Sequence, residues 1–597
     1  MIWDICFYVA LAITVIFTVW SVSVAKHRKE FNKNVDVIIL FAVGAFLSAT
    51  IVFIPIYNQV IPGDSSSVIK TLLIAVHNAI RLFVVDADYQ FIIDNVNSVQ
   101  RVITPWYTLY VCLLYVACPV CTFGVILSFF KNVSAIVRLI FAYFNPLFVF
   151  SQLNEKTLAL ATDLKNNEKR RVIVFCNVNA EDDGTSELIG ESKKIGAICF
   201  KKEIENVNFG IHFNRAEVQF FLISEDNSEN LTEAVHLVEL YGDTPNSYLY
   251  LLSNTIDGEL FLSIARDKKM QVRRINEAQS LVNHNLYHGG EVLFNKAKEV
   301  KGESEKVISA IIVGLGKYGK EMLKTLLWYC QMDGYKLIIN AFDKDKYAKD
   351  KFTAECPEIM DERYNWVIAE GEAQYGVEIY DDCYVEGYEF IKKIKKITDA
   401  TYVFVALGSD EENIKTAVNL RTVFEQMGIN PIIQAVVYNS QFASSLQGVT
   451  NFKNQPYAID FIGDLRSIYS EGVILDSKLE EEALKRHKKY GNEIEFWQYE
   501  YNYRSSIAAA LHMDARIKCN IKGANKPEEE LTEQERENIE RLEHRRWNAY
   551  MRSQGYIYSG SKEKSSRNDL GKMHNDLVDF DSLSEEEKRK DSRVGTK

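Results

Sequence analysis

The residues best placed to do chemistry lie in one short run, VISAIIVGLGKYGKEML. An apolar strand expected at Val307 to Val313 leads into Gly314-x-Gly316-x-x-Gly319 and a helix, and the next strand, Lys336 to Phe342, ends at Asp343. A dinucleotide needs this order of elements. Glycines let the backbone approach a pyrophosphate at a helix N-terminus, and an acid at the end of the second strand takes the ribose hydroxyls. The competing explanation is that the glycines serve only tight packing of strand against helix. Chemistry beyond binding finds no support. The ten histidines form no H-E-x-x-H pair, and no Gly-x-Ser-x-Gly elbow occurs. The ten cysteines are scattered without regular metal spacing, and their only close pair, Cys118-Pro-Val-Cys121, lies inside an apolar run where buried small hydrophobes are expected rather than a redox or metal site. An oxidoreductase would also need a placed acid or base beside its cofactor, and none stands out. The expectation is therefore a binding protein, not an enzyme.

The elements that must hold these residues form a repeated pattern. After a polar helical connector, 151–170, short β-rich runs alternate with helices, which reads as parallel α/β structure. ENLTEAVHL at Glu229 to Leu237 echoes ENIKTAVNL at Glu412 to Leu420, so the two stretches 171–285 and 306–470 read as a diverged tandem duplication of a Rossmann-like domain. The first copy, taken to begin at strand Arg171 to Phe175, has VIVFCNVNAEDDG where the glycines should be. Lys201 and Lys202 stand where an acid would follow its second strand, so this copy is expected to be structural.

Residues 1–150 belong to a different solvent. Ile2 to Val24, Val35 to Tyr57 and Thr104 to Phe130 are apolar and long enough to cross a bilayer. Lys26, Arg28, Lys29 and Lys33 lie between the first two, which puts that loop in the cytoplasm and the N-terminus outside. Two further segments stay open, giving three to five spans. In Ser67 to Val85 and just beyond, Lys70, His77, Arg81 and Asp88 are spaced to share one helix face, either lining a bundle interior or lying on the membrane surface. Val133 to Phe150 carries Arg138 and Asn145 seven apart, with a kink expected at Pro146. The formal charge of −12 disfavours a nucleic acid polymer as partner.

Two resemblances add to this. VGLGKYG, the acid in AFDKD, the VIAEGEA strand end and ALGSDEENI resemble the TrkA-type N-terminal domain, or regulator-of-potassium-conductance domain, which binds NAD(H), ATP or ADP beneath channels and transporters. The resemblance implies Gly314, Gly316, Gly319, Asp343 and Glu372 as nucleotide contacts and a dimeric or tetrameric homo-oligomer. No TVGYG filter accompanies it, so a potassium-selective pore is not supported. LEHRRWNAYMRSQGY, followed by RNDLGKMHNDLVDFDSLSEEEKRKDSRV, resembles the RyR domain named for ryanodine receptors, over about 495–597. Here Tyr556 replaces a common tryptophan, and Asn575 and Asp579 stand where proline is frequent. Bacterial proteins combining these parts look like effectors of nucleotide-signalled anti-phage defence. That resemblance implies a multi-pass protein of the bacterial inner membrane whose RyR domain senses a nucleotide second messenger. Trp547, Tyr556 and Phe580 would stack on a base, and His544, Arg546, Arg552 and His574 would meet phosphate. The alternative use for each is scaffold. The expected fold is thus a transmembrane helical bundle, tandem Rossmann-like α/β domains and a small α-helical C-terminal domain. The other functions in play are an ion-transport regulator gated by NAD(H) or ATP/ADP and an NAD-dependent membrane enzyme.

Overall fold

The computed structural model describes all residues except 1, 28–32, 62–66, 100–102, 130, 180–184, 214–215, 254–261, 302–303, 367–372, 476 and 596–597. The chain forms two compact units, residues 1–144 with 174–202, and residues 145–173 with 203–597.

The first unit contains three helices long and apolar enough to cross a membrane, with spans Ile2–Ser23, Ile38–Val60 and Thr104–Gly124. They pack through small residues: Ala10 and Ala49 are fully buried, and a Cβ on Gly44 would lie 2.5 Å from Cβ of Phe17. Polar groups inside the bundle find partners there. The Ser48 hydroxyl donates to the Ala10 carbonyl at 3.1 Å, and the Tyr110 hydroxyl donates to the same oxygen at 3.1 Å.

Neither ambiguous segment is a fourth or fifth long span. Helix Ser67–Phe83 has 17 residues, or about 26 Å at 1.5 Å per residue, short of a 30 Å hydrocarbon core. It buries Thr71, Ala75, Asn78, Ala79 and Leu82, whereas Lys70 and His77 are exposed. The shared polar face also stops early. Val85 adopts a left-handed φ of 61°, Arg81 turns to Asp86 at 3.1 Å, and Asp88 caps the next helix by accepting from the Phe91 amide. Asp88 therefore does not share a helix with Lys70. The segment Val133 to Phe150 is not one helix. Helix Lys131–Phe141 ends, and after Pro146 the chain becomes a buried strand, Leu147–Phe150. In the same unit, Arg138 donates to the carbonyls of Gly196 (2.8 Å) and Ala197 (3.3 Å).

That strand, β1, opens the first α/β sheet, which therefore starts some 24 residues before the expected boundary at 171. It is followed by β2 (Val172–Phe175), β3 (Ile198–Cys199), β4 (Val218–Leu222), β5 (Ser247–Leu252) and β6 (Gln271–Ile275), in the spatial order β3-β2-β1-β4-β5-β6. The second sheet has β7 (Lys298–Glu299), β8 (Lys306–Val313), β9 (Tyr335–Phe342), β10 (Tyr375–Tyr380), β11 (Tyr402–Val405), β12 (Ile432–Val436) and β13 (Ile459–Ile462). Its order is β10-β9-β8-β11-β12-β13, with β7 antiparallel on β8. Apart from β7 the two orders are the same 3-2-1-4-5-6 arrangement that defines the doubly wound dinucleotide fold. β8 is buried from Val307 to Val313, as a central parallel strand covered on both faces must be. The C-terminal region is helical, with Glu500–Lys518 and Glu533–Ser553 as its long helices and a two-residue ladder of β14 (Ile557–Tyr558) on β15 (Met573–His574).

Candidate functional site

The glycine run forms the β8-to-helix turn, and each glycine has its own reason to be there. Gly314 has φ +91°, and a Cβ on it would sit 2.3 Å from the Ala406 carbonyl oxygen at the end of β11. A Cβ on Gly319 would lie 1.7 Å from the Gly314 carbonyl, so helix Lys317–Tyr329 presses directly on the loop. These two serve packing. Gly316 does not: it is the N-cap of that helix, and a Cβ there would meet nothing within 4 Å. The helix N-terminus thus opens onto free space at the position where a phosphate approaches. Gly408, at the β11 turn, has φ +105° and is equally open.

Asp343 follows β9 as expected, and its carboxylate is already engaged. Oδ2 accepts from the Leu315 amide at 2.5 Å and Oδ1 from the Asp345 amide at 2.7 Å. Each carboxylate oxygen has a second lone pair for a ribose hydroxyl. Glu372 lies outside the described residues. In the first sheet, the loop after β1 is Ser151 to Asn154 and has no glycine, and Cys176 holds the position equivalent to Asp343. Lys201 and Lys202 follow the third strand of that sheet, not the second, because β1 lies upstream of the strand taken as first. The glycines and the acid are missing from this copy in either register.

One residue that no motif announced stands beside the glycine loop. Glu277, 1% exposed, begins the helix after β6, and its carboxylate takes the ammonium of Lys317, that of Lys156 (3.0 Å) and the hydroxyl of Tyr469 (2.9 Å). Burial would raise its pKa, but Lys317 and Lys156 outweigh burial and press it to about 2. Lys317 is the first residue of the helix after β8, and Lys156 is the second of the helix after β1. The two equivalent strand-to-helix turns are therefore tied to one buried anion. Its partners lie 40 to 192 residues away, so no local spacing could have found it.

In the C-terminal region His544, Trp547, His574 and Phe580 come together as one ring cluster. Trp547 lies nearly parallel to His544 at 5.8 Å and edge-on to His574 at 4.9 Å, and Phe580 is 6.0 Å from His544. The other ring groups are committed to the fold. His544 Nε2 donates to the Val578 carbonyl, His574 Nδ1 accepts from the Asp576 amide, and Phe580 is 2% exposed beneath Arg541. Burial, aided by Arg567, lowers the His574 pKa to about 4, so it is neutral. Tyr556 is 8% exposed and lies against Tyr501. Arg546 and Arg552 turn to buried carboxylates, Arg546 to Glu543 and Arg552 to Glu358 at 3.1 Å. Trp547 alone of the seven is half-buried and offers ring surface.

Fold and site together define a chain with membrane-length N-terminal helices, paired Rossmann-like sheets and a glycine turn that opens at a helix N-terminus. Compared with known protein families and with curated proteins, it matches none.

Proposed function

We propose that the protein is a membrane-anchored nucleotide sensor acting as a ligand-gated, pore-forming effector. It would work as a homo-oligomer in a bacterial inner membrane, with its α/β and C-terminal regions in the cytoplasm. The observation that carries the reading is the turn at Gly316, open at a helix N-terminus and followed by Asp343, on a chain that also has three membrane-length helices. NAD(H), ATP or ADP fits this turn: the pyrophosphate would lie on the helix N-terminus and the ribose beside Asp343. Lys317 stands at the same turn, and a phosphate there would compete with Glu277 for it. Binding would thus change a charge contact that reaches the first α/β sheet. The resemblance to TrkA-type and RyR domains and the role in anti-phage signalling stand as part of this proposal. A transport regulator gated by the glycine turn alone is the second reading, favoured by the scaffold roles of Arg546 and Arg552.

Titration calorimetry of the full-length protein in detergent tests the site. One of NAD, NADH, ATP or ADP should bind, and Gly316→Val should abolish binding, because a β-branched side chain fills the space a phosphate needs. Unchanged affinity in a folded variant would remove the turn from the account.

A further inference from the structure

A cavity of about 340 Å³, whose lining does not include the glycine turn, lies among the helix after β6, helix Lys317–Tyr329, residues 470–473 and 477–480, and the two long C-terminal helices. Its size is at the lower end for small-molecule sites. One wall is aromatic, with Trp328 edge-on to Tyr550 at 6.1 Å, and another carries the amides of Asn276, Gln279 and Asn283.

Two opposite charges, Arg504 and Glu321, line this space without a direct hydrogen bond or ion pair between them. Arg504 has its Nε buried with no hydrogen-bond partner, and Glu500, 3.9 Å from that nitrogen, is already held by Arg274 at 2.5 Å. Glu321 lines the cavity and makes no hydrogen bond or ion pair among the described residues. Burial opposes the Arg504 charge, and Glu321 and Glu500 sustain it. A guanidinium has five donors in a fork suited to phosphate, and a buried Nε left without a hydrogen bond at the wall of a partly open cavity calls for an acceptor. A carboxylate with free lone pairs suits a diol. Flat rings with amides opposite suit a heteroaromatic base. A free amino acid would also bridge the two charges, but it would leave most of the volume and the aromatic wall unused.

We infer that this cavity is a binding site for a nucleoside monophosphate or a nucleotide unit of that size, with Arg504 on phosphate, Glu321 on the ribose hydroxyls and the base against Trp328 and Tyr550. The site is independent of the glycine turn and needs no ligand there.

The test uses full-length protein carrying Gly316→Val, so that nucleotide at the first site cannot account for a signal. AMP, GMP, CMP and UMP are titrated by calorimetry, alongside inorganic phosphate and a set of free amino acids. At least one mononucleotide should bind. Arg504→Gln should weaken it at least about tenfold, as loss of a charge-assisted contact does. Glu321→Gln should narrow the preference for a ribonucleotide over its 2′,3′-dideoxy form. Asn283→Trp, which fills the cavity from a half-buried position, should abolish binding and decides the matter if Arg504→Gln does not fold. No mononucleotide binding at millimolar concentration, binding that survives Asn283→Trp, or preference for an amino acid would overturn the assignment.

Discussion

Asn230 and Asn413 make the same bridge in the two α/β sheets. Asn413 Oδ1 accepts from the Leu407 amide at 2.6 Å, and its Nδ2 donates to the Val436 carbonyl at 2.8 Å, joining the end of β11 to the end of β12. Asn230 joins Ser224 (2.8 Å) to Leu252 (3.0 Å) at the ends of β4 and β5. Both are buried, so Asn413→Ala strands one amide and one carbonyl and should cost about 2–4 kcal/mol. Thermal unfolding of the solubilised protein should shift down by several degrees for Asn413→Ala and for Asn230→Ala, while exposed Lys415→Ala stays near wild type. A negligible shift in either would separate the two copies. The echo ENL and ENI contains both asparagines, so the likeness of the two α/β stretches was legible in the residues. What they bond was not, since the carbonyl partners lie about 22 residues on, at the end of the next strand. Glu277 and Arg504 were invisible for the same reason. A buried glutamate that gathers Lys156, Lys317 and Tyr469, and an arginine whose meaning is a cavity, have no signature in neighbouring residues.

Elements were easiest to read where periodicity and turn chemistry agreed. β8, its glycine turn and β9 lie where the alternation of apolar run and punctuation predicted, because a central parallel strand is a short apolar run bounded by turn residues. The same property concealed β1. LFVF is buried at all four positions, and next to membrane helices such a run looks like more membrane helix. Pro146 was the clue, as it ends a helix more readily than it kinks one. The C-terminal elements carry a pH prediction. His574 is 4% exposed on β15, and its folded pKa, about 4, lies below the usual 6.5. A depressed folded pKa means that the unfolded chain takes the proton first. Its contribution is therefore complete above about pH 6.5 and is lost as pH falls toward 4, by about 3 kcal/mol in all. The melting temperature of wild type should fall across that window more steeply than that of His574→Phe. Parallel curves would show that His574 does not titrate as placed.

At the scale of the whole molecule, the first unit supplies the membrane-length helices together with β3 and the end of β2, and the second supplies the rest of the first sheet, the second sheet and the C-terminal region. A nucleotide can gate the first only by binding its open and closed states unequally. Moving a pore from about 99% closed to about 99% open takes roughly 5.5 kcal/mol of differential binding. Shared by four subunits, that is about 1.4 kcal/mol each, within the 1–3 kcal/mol usual for coupling between sites. The most direct test is ion flux from proteoliposomes holding the purified full-length protein, with nucleotide added to either side of the membrane. The account predicts that a nucleotide which binds in calorimetry releases the gradient, and that Gly316→Val removes the response to a ligand of the glycine turn. Flux that is the same with and without a nucleotide known to bind would contradict it.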